Sequence, residues 1–204
     1  MNHAREPILT NVPIAELRPT QITVGLREVA AKRARWETLG KKRSAFLARH
    51  MIPVVLGPKG RSYVIDHHHL ALALHEEGVE TVATTVVADL QRLDRDAFWV
   101  FLDNRGWIHP FDINGKRCDY SCIPKSLSEL ADDPYRSLAG EVREGGGYAK
   151  EVTPFSEFIW ADYFRRRIAR RTLDNDFATS LIEAIKLARS SDADFMPGWT
   201  GVHS

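Results

Sequence analysis

Between Ile52 and Ala88 the chain reads IPVVL, GPKG, RSYVI, DHHHLALALHEEG, VETVATTVVA. This stretch constrains the fold more than any other. Two short apolar runs flank Gly57-Pro58-Lys59-Gly60, which predicts a hairpin. The apolar positions Leu70, Leu72, Ala73 and Leu74 predict a helix from His67 to Glu77, stopped by Gly78. Thr81 to Ala88 is rich in β-branched residues and predicts a strand. Strand, strand, helix and strand in so short a span describe a small α/β unit.

The flanking sequence extends this unit. Val12 to Leu17 predicts a short strand or extended segment, ended by Arg18-Pro19-Thr20, and Gln21 to Val24 continue it. Leu26 to Leu39 predicts a helix stopped at Gly40, and Lys41 to His50 a second helix. After Asp89 the pattern becomes helical. Asp94 caps a helix that runs through Asn104 to Gly106, and Ser126 and Glu129 have capping-box spacing. Asp133-Pro134 opens a helix that runs into Gly145-Gly146-Gly147. Thr153-Pro154 opens a longer one through Arg171, and Asp174 or Asn175 opens the last. The expected fold class is α/β (α+β), with a small mixed-sheet core over residues 8–92 and a mostly helical extension over 93–198 packed on it. The polar start, MNHAREPILTNV, is expected to be loosely ordered.

Charge and cysteine content exclude several classes. The 28 basic and 27 acidic residues nearly cancel, so a nucleic-acid role must rest on a local patch. Cys118 and Cys122 are too few for a disulfide scaffold. Their CxxxC spacing has no second pair to complete a zinc site, so small packed thiols are expected. With no apolar segment at the start and no run long enough to span a bilayer, a cytoplasmic protein with no membrane partner is expected.

The chemistry concentrates at Asp66-His67-His68-His69, where a strand meets a helix. A structural reading is available for Asp66, whose carboxylate can cap the first helical turn. It does not account for three histidines, which are mediocre helix formers and gain nothing there once protonated. Successive helix positions diverge by about 100°, so at most two histidines can share a pocket with Asp66 and the third is packed or solvent-facing. A helix N-terminus attracts phosphate, and a carboxylate there is consistent with a divalent cation between the two. Histidine then acts as phosphate donor or as general acid or base. Direct transition-metal ligation ranks lower, because adjacent helical histidines are a poor ligand pair.

IPVVL, the turn, YVIDHHHLALAL and the following strand, with PIAELRPTQITVG upstream, resemble the core of the ParB/sulfiredoxin superfamily. DNRGWIHPF and TPFSEFIWADYFR resemble its ParB-like nuclease branch, so the likeness covers about residues 8 to 198. In that superfamily the strand-to-helix signature binds phosphates. Partitioning proteins carry Gly-Glu-Arg-Arg there and sulfiredoxins a catalytic cysteine; neither is present. Free-amino-acid kinases carry Asp-Gly-His-His-Arg. Asp66, His68 and His69 match, His67 replaces Gly and Leu70 replaces Arg.

The resemblance implies a phosphate-ester-processing enzyme. It would be a nuclease or a nucleotide-dependent phosphotransferase acting on a small hydroxyl substrate. The alternative is a non-catalytic nucleotide- or DNA-binding module. Asp66, His68 and His69 would be catalytic, with Glu28 as a base from the region where the kinases use a glutamate. Asp66 would hold a divalent metal, Mg²⁺ by the same likeness, with ATP or ADP as nucleotide. Arg18, Thr20, Gln21 and His67 would bind phosphate or nucleotide. The loop from Asp103 and Asn104 to His109 and Asp112 concentrates polar groups and is a candidate for substrate contact. Gly145-Gly146-Gly147 offers a hinge. Arg165, Arg166, Arg167, Arg170 and Arg171 form either a solvated helix end or a contact for a nucleic-acid backbone.

Overall fold

The computed structural model describes residues 8–201. The polar start lies, up to Pro7, outside the described residues. The chain divides into two compact units. One takes the residues up to Thr23 with Val29–Ala131, the other Val24–Glu28 with the residues from Asp132 onward.

The first unit is built on a four-stranded mixed sheet. Its strands are β1 (Ile8–Pro13), β3 (Ile52–Leu56), β4 (Ser62–Val64) and β5 (Thr81–Asp89), in the order β1-β5-β3-β4. β1 runs antiparallel to β5, β5 parallel to β3, and β3 antiparallel to β4. The expected hairpin is therefore present, with Val54 opposite Val64. Its turn places Lys59 and Gly60 at positive φ, 65° and 70°. Gly57 is required for a different reason: a Cβ there would lie 2.5 Å from the Tyr63 ring and 2.8 Å from Phe98. A second, two-stranded sheet consists of β2 (Thr23–Val24) and β6 (Ala131–Asp132), and within these strands the chain passes from one unit to the other.

Around the main sheet lie the helices α1 (Leu26–Thr38), α2 (Arg43–Arg49), α3 (His68–Glu76) and α4 (Arg95–Asn104). α3 is buried without interruption from His68 to Leu74. That is why its sequence is apolar all round rather than striped. α4 begins at Asp94, whose carboxylate accepts the Ala97 N–H at 2.8 Å. Its Phe98, Trp99 and Leu102 pack with Val55, Tyr63, Ile108 and Ile123 into one aromatic-rich core. α4 and the loops up to residue 131 thus belong with the sheet.

The second unit holds α5 (Pro134–Glu144), α6 (Ser156–Arg165), α7 (Arg170–Asn175) and α8 (Phe177–Arg189). Its core gathers Leu138, Val142, Tyr148, Trp160, Phe164, Leu173 and Ala184. α5 opens as expected, with Pro134 in its first turn and Asp133 accepting the Tyr135 N–H at 3.0 Å. The single long helix expected from Pro154 to Arg171 is instead two. Ile168 is drawn into the core at 2% exposure, and Ala169 turns extended before α7. The triple glycine is packed rather than hinge-like. A Cβ on Gly147 would meet Val142 at 2.4 Å, and Arg189 donates to the Gly146 carbonyl at 2.8 Å.

Candidate functional site

β4 hands over to α3 through Ile65, Asp66 and His67. His67 stands just before α3 with φ 64°, ψ 26°, a left-handed conformation, and no side chain caps the helix. The first-turn N–H groups of α3 are thus left without a side-chain cap, and a helix start in that state is a setting in which anions bind. The resembling kinase signature has glycine at this position, and the backbone here supplies the reason. His67 takes the strain because it is among the residues that tolerate this region better than most.

Asp66 does not cap the first turn. Its carboxylate accepts the neighbouring His67 N–H at 2.6 Å, and both side chains are exposed. The three histidines divide as their divergence requires. His67 faces solvent, while His68 and His69 are 3% and 7% exposed.

His68 meets a hub made by Thr20. The Thr20 N–H donates to His68 Nε2 at 3.1 Å, and its hydroxyl donates to the Val64 carbonyl at 2.7 Å. The Thr20 carbonyl accepts the His109 N–H at 2.9 Å. A backbone N–H can only donate, so Nε2 must be an acceptor, and the imidazole is neutral with its proton on Nδ1. Burial pushes the His68 pKa down to about 3, against a partial opposing pull from Asp66, and the charge of His109 adds to the depression. Asp66, His67, His68 and His109 therefore share one electrostatic neighbourhood.

Thr20 and Gln21 are buried, at 0% and 3% exposure, and the Gln21 amide donates to the Thr23 carbonyl at 2.7 Å. Their polar atoms hold the loop in place. Arg18 lies beside Tyr63 as a short extension of the sheet edge, its N–H on the Ser62 carbonyl and its carbonyl on the Val64 N–H. Its guanidinium has no ion pair or hydrogen bond among the described residues.

The later loop is self-braced. His109 stacks on Phe111 with ring centroids 4.5 Å apart. Asp103 accepts from Arg117 and, at 2.6 Å, from the Tyr120 hydroxyl. Asp112 accepts the N–H groups of Lys116 and Asn114, and the Lys116 hydrogen bond chiefly holds its carboxyl below the usual range. Asn104 is exposed at the end of α4. Of the two cysteines, Cys118 is half-buried and Cys122 exposed, not packed as expected. Glu28 lies in the second unit, 3.3 Å from Arg136.

Among the described residues no group of three His, Cys, Asp or Glu side chains could hold a metal ion. Asp66 offers a single exposed carboxylate as oxygen donor. It does not form a closed transition-metal site.

The resemblance brings in Thr20 as a phosphate-binding candidate, but the structure shows it buried and bonded to His68 and Val64 instead. The only local signal for Thr20 is a β-branched hydroxyl residue directly after a proline.

A family model described as "Putative ParB-like nuclease" matches residues 10–166. The chain belongs to this ParB-like family. It is also similar to protein Atu1540 from Agrobacterium tumefaciens, known from a crystal structure. The two are 52% identical with a TM-score of 0.90, and the match covers 97% of this chain and 100% of that one. No curated protein matches the chain. No helix among the described residues is long and apolar enough to cross a membrane.

Proposed function

We propose that the β4–α3 junction binds a phosphate ester and that the protein is a phosphate-ester-processing enzyme, a nuclease or a nucleotide-dependent phosphotransferase. One observation carries this reading: a left-handed His67 opens an uncapped helix N-terminus between an exposed carboxylate and an exposed imidazole. The helix N–H groups receive the phosphate oxygens, and the Arg18 guanidinium offsets their charge. Asp66 holds a divalent ion, Mg²⁺ by its oxygen-donor chemistry, which neutralises phosphate charge when bound. His67, exposed beside the helix start, moves a proton at the reacting oxygen. His68 positions the Arg18–Gln21 loop rather than exchanging protons, since its acceptor nitrogen is already engaged.

That engagement favours a second reading, a nucleotide- or DNA-binding module without turnover, because it removes one of the two histidines that match the kinase signature. Titration with ATP, ADP and CTP, with and without Mg²⁺, and with a short labelled DNA separates the two when turnover is followed in parallel. Metal-dependent binding that is lost in Asp66→Asn, together with product formation, supports the enzyme. Tight binding with no product supports the module. Equal binding by wild type and Asp66→Asn removes Asp66 from the site.

A further inference from the structure

The arm formed by α1, α2 and the turn between them carries charge of one sign. From Arg33 to His50 it has Arg33, Arg35, Lys41, Lys42, Arg43 and Arg49 against a single carboxylate, Glu37. Arg33 is taken up by Glu76 and Glu77, at 3.0 and 2.7 Å. The other five are exposed and form no ion pair among the described residues. In a chain whose net charge is only +1, this is a local concentration of cations with one carboxylate, Glu37, among them. Such an array is stabilised by an external polyanion.

Two of these cations are held in place without spending their donors. The Arg43 guanidinium lies over the Trp36 ring at 4.9 Å and that of Arg35 over Phe46 at 5.7 Å. Phe46 is backed edge-on by Trp36 at 5.9 Å and stacked on His50 at 3.9 Å. A ring face restrains a guanidinium while leaving its N–H groups for oxygen acceptors.

In the other arginine-rich stretch three of five arginines have carboxylate partners, while Arg167 and Arg171 form no ion pair among the described residues. Arg165 is bound by Asp133 and Asp162, Arg166 lies near Asp162, and Arg170 is held by Asp174. Arg167 sits over the Tyr163 ring at 3.6 Å.

The geometry points to the arm from Arg35 to Arg49 as a docking surface for the phosphate backbone of nucleic acid, read without regard to sequence. Base stacking is not available, since Trp36 is 5% exposed and Phe46 is half-buried. A lipid surface fits less well, because the stretch from Arg35 to Arg49 exposes no large apolar side chain and a membrane-lying helix needs an apolar face. The surface deepens the proposed function by naming a phosphodiester polymer as partner, but its binding can be read separately.

The test uses the full chain with Lys41, Lys42, Arg43 and Arg49 all changed to Gln. Thermal melting first confirms that the variant folds, and binding to a short labelled duplex is followed against salt. The slope of log affinity against log salt should flatten by about 2–4, near 0.9 for each phosphate that is no longer neutralised. Arg166→Gln with Arg171→Gln should leave it unchanged. Failure of the wild type to bind DNA, or an unchanged slope in the four-site variant, overturns the proposal. So does a four-site variant that loses binding to anionic phospholipid vesicles while keeping its binding to DNA. Nucleotide binding at the junction should survive in the four-site variant. If the slope flattens while Asp66→Asn changes nothing, the arm stands and the junction reading fails; the reverse pattern leaves the junction and removes the arm.

Discussion

His68 has an imidazole whose protonation the fold opposes. Above about pH 6.5 it is neutral in the folded and unfolded chains alike and contributes no pH dependence. Below that the unfolded chain takes up a proton that the native protein refuses until about pH 3. Stability should therefore fall as pH falls through this window, by about 1.4 kcal/mol per unit from this one site. Urea unfolding at a series of pH values checks this, and His68→Gln should show a shallower dependence. Equal slopes in the two proteins would mean that His68 titrates normally. His68→Ala leaves the Thr20 N–H buried without an acceptor and should cost about 1–3 kcal/mol at neutral pH. His67→Gly should behave oppositely. Relief of the left-handed strain at φ 64° should raise stability by up to about 1 kcal/mol, while the proposed role of the imidazole calls for slower turnover. A drop in stability in that variant would show that the ring is held by the fold.

At the scale of elements, α5 depends on Asp133 twice. The carboxylate caps the helix through the Tyr135 N–H, and it holds Arg165 at 2.6 Å while only 1% exposed. Burial raises its pKa and the adjacent guanidinium lowers it, so the pair is sustained by geometry as much as by charge. Asp133→Ala removes the cap and strands a half-buried guanidinium. The expected loss is about 3–5 kcal/mol in denaturant unfolding. A loss below about 1 kcal/mol would mean that Asp162 alone satisfies Arg165. Local pairing of this kind also takes up Arg166 and Arg170, through Asp162 and Asp174, but not Arg167 or Arg171 among the described residues.

At the scale of the molecule, each unit has its own core. Phe98, 1% exposed, anchors the sheet unit and Trp160, 0% exposed, the helical one. Phe98→Ala and Trp160→Ala should each destabilise by about 3–5 kcal/mol. Hydrogen exchange should register the first as lost protection in β3, β4 and α4, and the second in α5, α6 and α8. Protection unchanged in those elements would show that the ring is not central to its core. Charge also reads differently at this scale. A net value near zero conceals an unneutralised arm, so salt dependence is expected to follow a few residues rather than the whole surface.

What the sequence determined by itself was local. The hairpin, α3, α4 with its Asp94 cap, the Asp133-Pro134 start and the mixed α/β class follow from periodicity, turn residues and capping, which act over a few positions. The signature at Asp66 to His69 was legible for the same reason, since its residue types are unusual for a helix start. Only the tertiary structure decided what each member does. Thr20 and His68 are 48 residues apart, and no local pattern announces that one accepts a hydrogen bond from the other. The break after α6 arises because Ile168 is pulled into a core assembled from distant helices. Which arginines remain uncompensated is likewise settled by carboxylates that folding brings close or leaves distant. Pairing and burial are decided by what folding brings together, and sequence distance carries no record of that.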